Sequence, residues 1–128
     1  MKKTSAFWMW IVLQLATTCT DAAETKPTAV FLLIGQSNMA GRAAIEPQGR
    51  VPHPRVWVLN KDLRWVPAID PLHYDKPVAG VGLGSTFGRV VADADPSEVV
   101  GLVPAAVGGS SIDEWMPGEP HYLEAVRR

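Results

Sequence analysis

The sequence predicts an α/β domain, a parallel sheet flanked by helices. Three observations carry this. The stretches "AVFLLI" (29–34), "RVWVLN" (55–60) and "EVVGLVPAAVGG" (98–109) are short apolar runs, rich in β-branched residues and followed by glycine or polar breakers. Leu83, Phe87, Val90 and Val91 recur at helical spacing inside "GVGLGSTFGRVVADADP" (80–96). The order is then strand, loop, strand, helix, strand, helix, which suits parallel strands joined by crossovers.

Each element has its own punctuation. The first strand runs over 29–34 and stops at Gly35, after which Gln36, Ser37 and Asn38 follow in succession. "RAAIEPQGRVPHP" (42–54) has proline and glycine breaks and reads as a loop before the second strand. "RWVPAIDPLHYDKP" (64–77) contains three prolines and is expected to be mostly irregular. For the helix, Ser85 or Thr86 is the expected cap and Pro96 the stop. The third strand ends in the pair Gly108-Gly109, and "PHYLEAVRR" (120–128) opens a further helix. Only three strands are visible, and no strand follows the last helix. The expectation is therefore the front part of a longer domain, with apolar sheet edges left uncovered.

Composition narrows the function classes. The 128 residues are 47% apolar and 20% charged, with a formal net charge of −1, which is a globular balance. There is no basic stripe and no charge run, so neither a nucleic acid nor an anionic membrane surface is an expected partner. The N-terminus has the order of a signal peptide over residues 1–22. Lys2 and Lys3 form a positive region, "AFWMWIVLQLA" (6–16) an apolar one, and "TTCTDAA" supplies small residues for cleavage after Ala22. The apolar run is short for a bilayer span, so an exported protein, secreted or periplasmic, without stable membrane insertion is expected. Cys19 is the single cysteine and leaves with that segment. The mature chain then has no disulfide, no cysteine nucleophile and no cysteine-ligated zinc.

"FLLIGQSNMAGR" (31–42) holds the main chemical signal. A phosphate loop is disfavoured because Ala40 stands where its second glycine belongs and is followed by Gly41-Arg42, so its lysine is missing. In a G-x-S-x-G elbow the last glycine would fall on Met39. A third reading puts Ser37 at a strand end and at the start of a short helix, where N–H groups favour a developing oxyanion. The plain structural alternative is that Ser37 or Asn38 only caps that helix.

"IGQSNMAGR" closely resembles the first block of the SGNH (GDSL-like) hydrolases, and within them the sialate O-acetylesterase-like proteins that include carbohydrate esterase family six. "WVPAIDPLHYDKP" is similar to that family's Trp–Ala–Pro-Leu-His region and "GVGLGSTFGR" to its glycine-led helix. "VGLVPAAVGGSSIDEWMPGEPHY" resembles the strand and Gly-Gly-Ser turn that follow. The resemblance implies a three-layer, flavodoxin-like SGNH domain whose N-terminal part occupies 27–128. It also implies a serine esterase acting on O-acetyl esters of carbohydrates, of the sialate or xylan type, needing no metal or other cofactor. Ser37 matches the nucleophile. The N–H groups of Ser37 and Gly109 match oxyanion donors. Arg42 and Trp115 are possible substrate contacts, with loop bracing and packing as their plainer roles. The family's third block and its C-terminal Asp-x-x-His are missing, so the catalytic Asp and His are expected outside this chain. Asp70 and His73 spell the motif, but they precede the Gly109 block and are rejected as the pair. A carbohydrate-binding protein on a degenerate SGNH fold is the alternative.

Overall fold

In the computed structural model the description covers residues 26–128. The expected signal segment, residues 1–22, lies outside the described residues.

The sheet has four strands, β1 (Ala29–Leu33), β2 (Val56–Leu59), β3 (Trp65–Pro67) and β4 (Val100–Pro104), in the order β1-β4-β2-β3. β4 pairs in parallel with both β1 and β2, whereas β3 runs antiparallel to β2. β3 adds a three-residue strand to 64–77, the rest of which is irregular as expected. The hairpin is closed by Asn60, whose side-chain oxygen accepts the N–H groups of Asp62 and Arg64. Such an Asn-centred turn returns the chain at once. Proline is tolerated at Pro67 because it ends a strand at the sheet edge.

Every residue of β4 is buried, as expected of a central strand with both faces covered. Leu33, Val56, Val58, Val100 and Leu102 form the core on one face, together with Ala68, Leu72 and Ala92. Helix α2 (Leu83–Ala94) lies on that face. Its contact stripe is not the large apolar one. Gly84, Ser85, Gly88 and Ala92 are buried, while Leu83, Phe87 and Val90 are at least 40% exposed. The reason is proximity. A Cβ on Gly88 would stand 2.9 Å from Val56 and 3.1 Å from Leu102, and one on Gly84 would stand 2.5 Å from Leu33. The helix comes close enough for small residues to make the interface, and bulky ones turn outward. Phe87 still meets Phe31 edge-on, with ring centroids 4.9 Å apart. The expected cap at Ser85 or Thr86 is also replaced: the helix starts after Gly82, and Ser85 donates its hydroxyl to the Asp70 carboxylate.

β1 is the other sheet edge. Val30 and Leu32 in it, and Ile34 just after it, are exposed. A single turn of helix, α1 (Ser37–Ala40), follows β1, and α3 (Pro120–Arg127) ends the chain. Arg128 secures that end by donating to the carbonyls of Leu59 and Asn60. No helix among the described residues is long and apolar enough to cross a membrane.

Candidate active site

The β1–β4 ladder continues past both strands. Ala105 N–H donates to the Leu33 carbonyl at 3.0 Å, and Val107 N–H donates to the Gly35 carbonyl at 2.9 Å. Gly35 and Val107 are therefore side by side. Ser37 lies two residues beyond the first and Gly109 two residues beyond the second. Adjacent parallel strands thus deliver both turns to one edge of the sheet, where α/β proteins bind ligands.

The first turn begins at Gly35, with φ +141°, and carries α1. Ser37 is half-buried at its start. Gln36, not Ser37 or Asn38, occupies the N-cap position, and no side-chain capping bond forms there among the described residues. α1 ends at Gly41, whose N–H returns to the Ser37 carbonyl at 2.9 Å. Gly41 has φ +81°, and a Cβ there would meet the Val81–Gly82 backbone at 2.4 Å. Only glycine fits this crossing.

The second turn spans Val107–Ser110 and is closed by Ser110 N–H donating to the Val107 carbonyl. Gly109, at φ +84°, occupies its third position, where a positive φ calls for glycine. Among the described residues no partner takes the N–H of Ser37 or of Gly109. Gly108 N–H is engaged instead: it donates to Asp75 Oδ2 at 2.8 Å. The same oxygen accepts Arg42 Nη2 at 2.7 Å, and Arg42 Nη1 also donates to the Gly41 carbonyl at 2.6 Å. The Asp75 side chain is 1% exposed. Burial pushes its carboxyl up, but Arg42 and the Gly108 N–H outweigh this and hold it below the usual carboxylate value. The contacts of Arg42 are thus the loop-bracing ones. Asp75 drew no notice in the sequence.

Trp115 lies in a short 3-10 turn, Ile112–Trp115, begun by a reciprocal capping box between Ser111 and Glu114. Its indole N–H donates to the Ser110 hydroxyl at 2.9 Å, and its ring is 5.1 Å from that of His121. With Gly35, Gln36, Ser110, Ser111 and Ile112 it lines a recess of about 140 Å³ beside the first turn. The structure therefore sets Arg42 against the turn that holds Gly109, and Trp115 beside the turn that leads to Ser37. A roomier apolar groove, about 320 Å³ between β1 and α2, is lined by carbon side chains such as Phe31, Leu33 and Phe87 and offers no reacting group.

The three histidines have other partners. His73 is buried, and its Nε2 lies 3.4 Å from the Leu33 carbonyl. Burial lowers its pKa, with the Leu33 carbonyl opposing. Asp70 bonds Ser85 rather than His73, and burial raises its pKa against the pull of Ser85 and Arg89. His53 Nε2 is 3.2 Å from Asp93, and His121 Nε2 is 3.9 Å from Glu114. No group of three or more metal-ligating side chains occurs among the described residues.

Fold and turns together define an α/β protein that gathers its polar groups at the carboxyl ends of parallel strands. The chain belongs to the carbohydrate esterase, sialic acid-specific acetylesterase family, whose model matches residues 27–128. A probable carbohydrate esterase of Arabidopsis thaliana is 39% identical over 121 residues, covering 80% of this chain and 46% of its own. An X-ray structure from the same Arabidopsis locus superposes with a TM-score of 0.73 at 36% identity, over 80% of this chain and 50% of that one. The chain spans about half the length of the relatives it matches.

Proposed function

We propose that this chain carries the nucleophile and oxyanion half of a serine acetylesterase acting on O-acetylated carbohydrates, on an SGNH-type domain. One observation carries the reading. The β1–β4 ladder pairs Gly35 with Val107, two residues before Ser37 and Gly109, and both of these have N–H groups with no partner among the described residues. The Ser37 hydroxyl attacks the acetyl carbonyl. The two N–H groups receive the negative charge that develops on its oxygen. Collapse expels the sugar hydroxyl and leaves an acetyl-serine, which water then cleaves. No metal enters this scheme. Trp115 flanks the recess where the sugar would lie, and Arg42 acts through the loop it braces.

The base and its orienting carboxylate are not among these residues. Each histidine has a partner other than Ser37, and His73 is too deeply buried to exchange protons with substrate. The same observation favours a second reading, a carbohydrate-binding protein that keeps the turns without the chemistry. Export, secreted or periplasmic, follows from the N-terminal charge and hydropathy order, and N-terminal sequencing of the exported product should begin near Ala23.

A serine-directed fluorophosphonate, applied to a version of the chain extended so that it supplies the base and its carboxylate, separates the two readings. The esterase reading expects one adduct, mapped by mass spectrometry to Ser37 and absent from Ser37→Ala. Labelling elsewhere, or none, favours the binding protein.

A further inference from the structure

We propose that Asp75 is a positioning residue: its carboxylate, held by Arg42, fixes the Gly108 N–H and so aims the Gly109 N–H at the acyl oxygen. The proposal rests on the reading of Ser37 and Gly109 as nucleophile and oxyanion donor. In a turn of this shape the closing bond runs from Ser110 to Val107, so the N–H groups at the two central positions have no partner within the turn. Gly109 leaves its N–H free. Gly108 gives its own to a buried carboxylate, which holds the N–H side of the Val107–Gly108 peptide, while the carbonyl side accepts the N–H and the hydroxyl of Ser110.

The anchor also reaches the other turn. Asp75 Oδ2 accepts from Gly108 N–H at 2.8 Å and from Arg42 Nη2 at 2.7 Å. Arg42 directly follows Gly41, which closes the helical turn bearing Ser37. One oxygen atom therefore ties the nucleophile turn to the oxyanion turn. The fit admits no slack: a Cβ on Gly108 would lie 2.2 Å from Arg42 Nη2 and 2.9 Å from Asp75 Oδ2. Glycine is present at 108 so that the guanidinium can occupy that space. Bonds to ionised partners are shorter and about twice as strong as neutral ones, which suits a clamp on a turn with one exposed glycine. An oxyanion donor works within a few tenths of an ångström, and a displacement near 1 Å can cost about 10²-fold in rate.

The test uses the chain extended so that it supplies the base and its carboxylate, with Asp75→Asn and Arg42→Ala. The first readout is the Gly108 amide proton, its chemical shift and its solvent exchange by NMR. The second is the rate at which 4-nitrophenyl acetate acetylates Ser37, followed by mass. In Asp75→Asn the Gly108 proton should move upfield and exchange at least about tenfold faster. Acetylation should slow about 10- to 100-fold, below the loss of a whole donor, with little change in the ester concentration for half-saturation. Arg42→Ala should show the same loss, and added guanidinium should restore several-fold, which a merely structural fault would not allow. An unchanged Gly108 amide in Asp75→Asn, or a slowing that tracks lost global stability without guanidinium rescue, overturns the proposal. If the unsubstituted extended protein is not acetylated at Ser37, the nucleophile reading falls instead. The Gly108 amide and its guanidinium response then decide the clamp alone.

Discussion

Gly108 and Gly109 are neighbours in sequence and differ in nearly every physical respect. Gly108 is buried under Arg42 and Asp75, and its N–H is spent on a carboxylate. Gly109 is exposed at φ +84°, and the nearest atom to a Cβ there would be Lys76 Nζ at 3.6 Å. The first is glycine because space is lacking, the second because its backbone lies in the left-handed region with its N–H free. The difference teaches that the candidate site has a closed half, which sets distances, and an open half, which in the proposed reading meets the ligand. Ser37 belongs to the open half and Gly41 to the closed one.

Substitutions in the two halves should fail in different ways. Ser37→Ala has the largest effect expected. It removes the acceptor atom, so acetylation of the chain at this position should vanish while the urea midpoint stays within error of the parent. A lowered midpoint would move Ser37 into the closed half. Next comes Gly109→Val. A β-branched residue at this φ is strained and crowds the free N–H, so acetylation of Ser37 should slow about 10²-fold, the cost of one lost donor. An unchanged rate would make Gly109 a plain turn residue. Gly108→Ala should act first on folding. Its Cβ displaces the guanidinium, and equilibrium unfolding should show a loss of about 1–3 kcal/mol. Stability equal to the parent would mean that Arg42 swings aside freely and that the closed half is looser than described.

The smallest effect concerns His73, beneath the β1 end of the site. Its pKa is lowered in the fold, chiefly by burial, so below its ordinary value of 6.5 the unfolded chain takes up the proton first. Stability should fall as pH drops from about 6.5 toward the lowered value, by a fraction of the total. Urea midpoints between pH 8 and pH 5 should show a slope that His73→Gln loses. An equal slope in both would assign it to other groups.

Much of the open half was legible in sequence because its signals are local. An apolar run, a glycine and then Gln-Ser-Asn are contiguous, and the Gly108-Gly109 pair directly follows its strand. The closed half was not legible for a geometric reason. Asp75 is 33 residues from Arg42 and 33 from Gly108, and no periodicity links such positions. The packing face of α2 was not legible from its largest side chains. Gly84, Gly88 and Ala92, small residues at intervals of four, were the signal of a close helix–sheet approach. β3 escaped because a three-residue strand ending in proline carries too little pattern.

The ladder that aligns the two turns also bears on when they meet. Ala29 pairs with Val100, whereas Leu59 pairs with Trp65 across a tight hairpin. Closing a long loop must precede the contacts that reward it, so pairings distant in sequence and parallel in direction form slowly. The β2–β3 hairpin can assemble from its own neighbourhood early in the life of the chain. The junction of Gly35 with Val107 must wait for the emergence of residue 107, and only then does the alignment of Ser37 with Gly109 exist.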